Sequence, residues 1–179
     1  ESPYIHQFWE EKLKYEISWL DVYRTINYVI IDNRIKELKI KAIHKIIPTN
    51  ENLFVWKQIP NPFCKHCGEI ETMDHFFISC PYLNSFWVKI NIIFKSIGIN
   101  KTITMRDLII GYKIQYMGYQ EVNVLFGNIF HSIYKSYMQS ERRSIRINML
   151  NTLYFELLMV NKLYEKKTWK NLFIKQFNK

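Results

Sequence analysis

One stretch constrains this chain more than any other. Cys64-Lys65-His66-Cys67-Gly68 is followed by a short acidic and apolar run, then His75, then Cys80, in the spacing C-x2-C-x7-H-x4-C. All three cysteines of the chain lie here. Cys64 and Cys67 are spaced as a tight turn carrying two thiolates on one metal requires. Gly68 follows directly, where a turn that wraps its amides around a thiolate needs positive φ, which glycine adopts at little cost.

The second half of the stretch obeys a different geometry. Residues 69–79 read as a short helix that Pro81 prevents from continuing. On an ideal helix His75 and Cys80 would be roughly 140° out of phase. They can share a metal only if Cys80 lies just past the helix end. Four soft or borderline ligands, Cys64, Cys67, His75 and Cys80, predict a closed tetrahedral zinc site, structural in role because no position is left for water. His66 is a competing ligand, but its side chain would leave the turn on the far side.

The composition suits a folded, helical chain. It has 179 residues, 48% hydrophobic and 16% aromatic, with only 5 Gly and 5 Pro to interrupt long elements. The net charge of +9 favours a polyanionic partner, nucleic acid before membrane. Cysteines in a metal arrangement fit a reducing compartment, hence an intracellular location, nucleus or cytoplasm. No apolar run approaches the roughly 18 residues a membrane span needs, and the N-terminus does not read as a signal peptide. A first residue other than Met leads us to expect a piece of something longer.

Taken in order, residues 1–31 carry aromatics at near-helical spacing, with Trp9, Leu13, Ile17 and Leu20 expected to pack in a core. Ser18 is a candidate cap, with Asp21 three residues on. Residues 32–47 form the clearest amphipathic helix: Ile35, Leu38, Ala42, Ile43, Ile46 and Ile47 line one face. Arg34, Lys36, Lys39, Lys41 and Lys45 occupy much of the rest, opposed only by Glu37, and predict phosphate contact. Pro48 ends this helix. Another begins at Thr49 or Asn50, anchored by Leu53, Phe54 and Trp56.

After Cys80, residues 82–97 predict a helix with Phe86, Trp87, Ile90, Ile93, Phe94 and Ile97 on one face and Gly98 as C-cap. The Phe86-Trp87 pair is expected to pack back on the metal segment. Residues 99–120 read as a connector between an N-terminal zinc-containing unit (1–98) and a C-terminal antiparallel helical subdomain (121–179), with Thr104 and Asp107 as a capping pair inside it. Residues 121–139 place Leu125, Ile129, Ile133 and Tyr137 at spacing four, and Arg142, Arg143 and Arg146 form a second basic cluster. The fold class expected is mostly α, with a small zinc knuckle embedded between helices.

Catalytic signatures are missing. There is no adjacent Asp-Asp pair for polymerase magnesium, no Pro-Asp nuclease motif, no Gly-rich phosphate loop and no H-E-x-x-H. His131 reads as a satisfied core histidine. The expectation is an accessory domain, not an enzyme.

Residues 63–69, 72–81 and the pair 86–87 together resemble the C-terminal zinc-binding (CCHC) segment of non-LTR (LINE-type) retrotransposon reverse transcriptases. That pattern runs roughly C-x-x-C-G, acidic spacer, H-x-F-x-x-C-P, then an aromatic F-W pair. Residues 38–49 resemble the helix and turn that precede it, and the resemblance covers about 30–95. It implies a module lying past the polymerase thumb that helps grip template RNA or target DNA, with the polymerase domains of a longer parent chain as possible neighbours. Under that reading Lys65 and His66, at the tip of the metal turn, approach phosphate or base edges. The alternative is a zinc-stabilised protein-interaction domain derived from such an element.

Overall fold

The computed structural model describes residues 3–30, 32–96, 98–112 and 120–143, with side chains in the last helix through residue 138. The architecture is helical. In chain order come α1 (Tyr4–Leu13), α2 (Trp19–Arg24) running into a π turn (Thr25–Val29), α3 (Asn33–Ile43) and α4 (Asn50–Val55). A second π turn (His75–Ser79), a 3-10 turn (Pro81–Leu83), α5 (Asn84–Ser96), α6 (Met105–Ile109) and α7 (Gln120–Arg143) follow. A single antiparallel bridge, Phe63 to Ile70, is the extent of β structure among the described residues.

The helices begin where short polar side chains can take up unpaired amides. Asp32 accepts from the Arg34 amide at α3, and Thr49 from the Asn52 amide at α4. At α6 the Asp107 carboxylate accepts from both the amide and the hydroxyl of Thr104. They end less predictably. Gly98, at φ 82, closes α5 with its own amide bonded to the Lys95 carbonyl and that of Ile99 bonded to Phe94. The same double bond pattern closes α3 and α4, but there Lys45 and Lys57, both at φ 58, occupy the left-handed position. The expected helix over 32–47 therefore stops before Pro48, because Lys45 turns the chain first. Ile46, expected on its apolar face, is half exposed.

α7 lies at the centre. Residues 123 to 133 are buried without a break. The helix packs against α3, α6 and both π turns. Leu125, Phe126, Ile129, Phe130 and Ile133 join Leu38, Ile43, Phe77, Ile90 and Phe94 in one core cluster. Of the expected connector, 99–120, the described part contributes Ile99, Ile103, Leu108, Ile109 and Ile110 to that core. Asn123 ties this segment to α7 through both hydrogen-bonding groups of Tyr112: its Oδ1 accepts from the Tyr112 amide at 2.7 Å and its Nδ2 donates to the Tyr112 carbonyl at 3.0 Å. Most of the expected C-terminal subdomain, residues 144–179, lies outside the described residues.

Two expectations for the N-terminal half need correction. Leu20 is exposed, because Ile17 and Leu20 fall on either side of the start of α2 instead of continuing the helix of Trp9 and Leu13. Trp9 is buried as expected, its indole donating to the Ile43 carbonyl at 2.7 Å, the last residue of α3. α4 has no buried residue: Phe54 and Trp56, expected as anchors, are partly exposed beside a largely exposed Val55. Polar bonds hold this helix instead, including those from Asn52 Nδ2 to the carbonyls of Lys45 and Ile47.

Candidate metal centre

The site is assembled from a tight hairpin and a π turn. In the hairpin the Gly68 amide donates to the Cys64 carbonyl at 2.8 Å and the Cys64 amide to the Glu69 carbonyl at 2.7 Å. Gly68 sits at φ 79, as the turn demands, and a Cβ there would meet nothing within 4 Å. Its requirement is torsional only. Glu69 and Ile70 form the returning arm and are not helical, so the helix expected over 69–79 begins at Met73.

Cys80 reaches the site by a device that the sequence does not announce. Its amide donates to the His75 carbonyl at 3.1 Å, five residues back. This i→i+5 turn winds more slowly than an α-helix and swings residue 80 toward the face of residue 75, reducing the phase difference an α-helix would impose. Cys80 itself is extended, at φ −61 and ψ 125, just past the turn. Thr72 fixes the start, its hydroxyl oxygen accepting from the His75 amide at 3.1 Å.

The ligand atoms of Cys64, Cys67, His75 and Cys80 all lie within 4.8 Å of one another. Cys64 and Cys80 Sγ are 3.9 Å apart, and Cys67 Sγ is 3.2 Å from His75 Nε2. A tetrahedral zinc with thiolate arms of about 2.3 Å has sulfur–sulfur edges of about 3.8 Å. The donor set and its spacing fit zinc, and 3.9 Å is far too long for a disulfide. His75 Nε2 faces the sulfurs while its Nδ1 lies 3.4 Å from the Glu69 carboxylate. That partner favours the tautomer whose Nε2 lone pair is free for a metal. By sequence Glu69 counts only as acidic spacer; the signal was a carboxylate on the arm returning toward the histidine.

Burial pushes the Cys64 thiol up to about 12 and also raises that of Cys80. Three thiolates this close, two of them buried, do not coexist without a cation, and a bound divalent metal reverses that balance. Glu71, also buried, has its carboxyl raised chiefly by the same desolvation. It accepts from the Asn50 amide at 3.0 Å and from the Tyr137 hydroxyl at 3.1 and 3.3 Å. His66 is not in the ligand group: its ring stacks on Tyr82, centroids 4.2 Å apart. The Phe86-Trp87 pair does pack back, Phe86 buried in the core and the Trp87 indole donating to the Phe77 carbonyl at 3.1 Å.

The predicted basic face is less open than its spacing implied. Lys39 is a correction: it is 1% exposed, and its Nζ donates to the Leu108 carbonyl in the last turn of α6, so it cannot touch a polyanion. Burial lowers its pKa to about 8. Arg34 pairs with Asp32 at 2.5 Å and Lys41 with Glu37 at 2.6 Å. Lys36 donates to the Asn27 carbonyl, Lys45 lies over the Phe8 ring, and Lys65 lies 5.2 Å from the centre of the Tyr137 ring. Arg146 and the side chains of Arg142 and Arg143 lie outside the described residues. Among the described residues no helix is long and apolar enough to cross a membrane.

The family model described as zinc-binding in reverse transcriptase matches residues 5–87, which include all of α1 but its first residue, α2 to α4, the hairpin and the whole Cys3His group. No curated protein matches the chain. Residues 5–87 are thus similar to the zinc-binding region of reverse transcriptases, and the four residues that would give such a region its metal stand together here, their ligand atoms all within 4.8 Å of one another.

Proposed function

We propose that this chain is a zinc-stabilised accessory domain that grips nucleic acid, of the kind found toward the C-terminus of LINE-type reverse transcriptases. The observation that carries the reading is the convergence of Cys64, Cys67, His75 and Cys80 inside a segment matching a reverse-transcriptase zinc-binding family. Zinc would fix the hairpin and the π turn, and the closed donor set assigns it no catalytic step. Arg34, Lys36, Lys41 and Lys45, with Lys65 and His66 at the hairpin tip, would supply the electrostatic contact. Their present partners do not preclude this. An exposed ion pair such as Lys41–Glu37 is worth about 0–1 kcal/mol, so a phosphate can displace the carboxylate at small cost. The net charge of +9 draws a polyanion toward this surface.

The test is a titration of the zinc-loaded chain with single-stranded RNA, structured RNA and duplex DNA at two salt concentrations. Binding should weaken steeply with salt. Changing Lys36, Lys41 and Lys45 together to Gln should lower the slope of log K against log salt by about 2–3, at roughly 0.7–0.9 for each phosphate no longer neutralised. No binding at low salt to any of the three would refute the reading. A second reading, a protein-interaction domain, is favoured by one observation: Phe54, Val55, Trp56, Phe63 and Ile70 are exposed around the α4–hairpin junction. Salt-insensitive binding to a protein, abolished by Trp56→Ala, would support it.

A further inference from the structure

We infer that Glu71 and Tyr137 are positioning residues for the metal centre, and that through them zinc binding and the docking of α7 are one coupled event. The inference rests on the zinc reading above and goes beyond it, because Tyr137 lies 50 residues past the end of the matched segment.

The argument starts from where Glu71 sits. It is the residue that closes the returning arm of the hairpin, its amide donating to the Pro62 carbonyl at 2.9 Å. Two residues before it, Glu69 approaches His75 Nδ1; one residue after it, Thr72 caps the turn that carries His75 and Cys80. Whatever holds Glu71 holds the supports of the ligands on both sides. Glu71 is held by α4, through the Asn50 amide at its carboxylate and the Glu51 amide at its carbonyl, and by α7, through the Tyr137 hydroxyl. The residue is 1% exposed, so a partner removed from its carboxylate is not replaced freely by water.

The side of Tyr137 is equally specific. Cys64, His75 and Cys80 line a cavity of about 30 Å³, and Glu71 and Tyr137 line the same one. The Tyr137 ring packs on Phe76, centroids 4.5 Å apart, one residue from His75, while Phe130, two turns earlier on α7, packs on Phe77 at 4.1 Å. With Tyr134 also beside Phe76, centroids 6.3 Å apart, α7 reaches the π turn through three aromatic contacts and the returning arm through a hydrogen bond. Outer partners of this sort contribute roughly 10–100-fold to metal affinity where they orient ligands.

The experiment compares the full chain with Tyr137→Phe, Glu71→Ala and the double variant. Zinc affinity is read by competition with a chromophoric chelator, and site geometry by the absorption spectrum of the cobalt(II)-substituted protein. Tyr137→Phe keeps the ring against Phe76 and removes only the hydroxyl. Each single change should weaken zinc about tenfold and alter the thiolate-to-cobalt bands, and the double variant should lose little more than either alone, because the two act as one unit. Zinc binding within about twofold of the parent in both single variants, or strictly additive losses, would overturn the inference. A parent chain that binds no zinc would sink the underlying reading instead, and this inference with it. If Glu71→Ala fails to fold, hydrogen exchange of the parent settles the point. Chelation should raise exchange at the α7 amides around Tyr137, and unchanged protection there would count against coupling.

Discussion

Lys39 shows how a single residue can obey the sequence pattern and defy its meaning. By spacing it belongs with Arg34, Lys36 and Lys41, yet it is buried with its ammonium on the Leu108 carbonyl. An unpaired carbonyl in the final turn of α6 needed a donor, and a lysine stem is long enough to bring one through apolar surroundings. The arrangement has a pH signature. Burial lowers the Lys39 pKa from 10.5 to about 8. Between those values the unfolded chain keeps a proton that the folded chain has released, so stability rises with pH across that window. Below pH 8 the cost of the buried charge is fully present. At roughly pH 7 Lys39→Met sheds that cost, about 3 kcal/mol for a pKa lowered from 10.5 to about 8, but leaves the Leu108 carbonyl unpaired at about 1–3 kcal/mol, so it should exceed the parent by about 1 kcal/mol. The gap should narrow as pH climbs from 8 toward 10.5, as read by urea denaturation of both proteins at the two ends of that window. The metal ligands teach the opposite lesson. Cys64, Cys67, His75 and Cys80 were legible because metal geometry forces residue type and spacing together, and the structure brings all four within 4.8 Å.

At the level of elements, helix starts were more readable than helix ends, although Ser18, expected to cap α2, makes no side-chain cap bond. Thr49, Asp32 and the Thr104–Asp107 pair lie where short polar side chains signal a beginning. Gly98 signals an end for the same chemical reason, but Lys45 and Lys57 adopt the same left-handed cap with no signal in their side chains. A left-handed residue with a Cβ costs about 1 kcal/mol over glycine. Lys57→Gly should recover about 0.5–1 kcal/mol in a chemical denaturation curve, since its φ already suits glycine. The converse holds inside α7. Gly127 lies where a Cβ would come within 2.9 Å of Cγ2 of the buried Ile35, a branch methyl fixed next to the backbone of α3. Gly127→Ala gains about 1 kcal/mol in helix propensity, against about 1–3 kcal/mol for overpacking a closed contact. The clash should win, and the unfolding midpoint should fall by the equivalent of about 1 kcal/mol. The π turns escaped sequence reading altogether, because a helix lengthened by one residue leaves the same apolar residues available to either winding.

On the scale of the whole molecule, the sequence pattern revealed a helical fold and the apolar stripe of α7, but not that this helix is central. The reason lies in its second face. Asn128, Ser132 and Ser136 recur every four residues on that face, and all three are buried although polar. They are satisfied internally: Asn128 Nδ2 donates to the Val124 carbonyl, and among the described residues no buried side-chain nitrogen or oxygen lacks a partner. Small polar residues so spaced allow neighbours to approach closely, which polarity alone does not reveal. Removing the metal should be felt across this body. Chelation, or Cys80→Ser, should lower the thermal midpoint by several degrees, since the zinc segment contributes Phe76 and Phe77 to the common core. The placement of α7 also sets an order of events during synthesis. α3 leaves the ribosome with its apolar face finished and its partners unmade, for its Lys39–Leu108 contact spans 69 residues and α7, on which it packs, comes later still. At about 5–20 residues per second, roughly 5–20 s separate the completion of α3 from that of α7. During that interval the nascent chain exposes the surface on which it will later close, which makes it a natural client for chaperones that shield apolar helices.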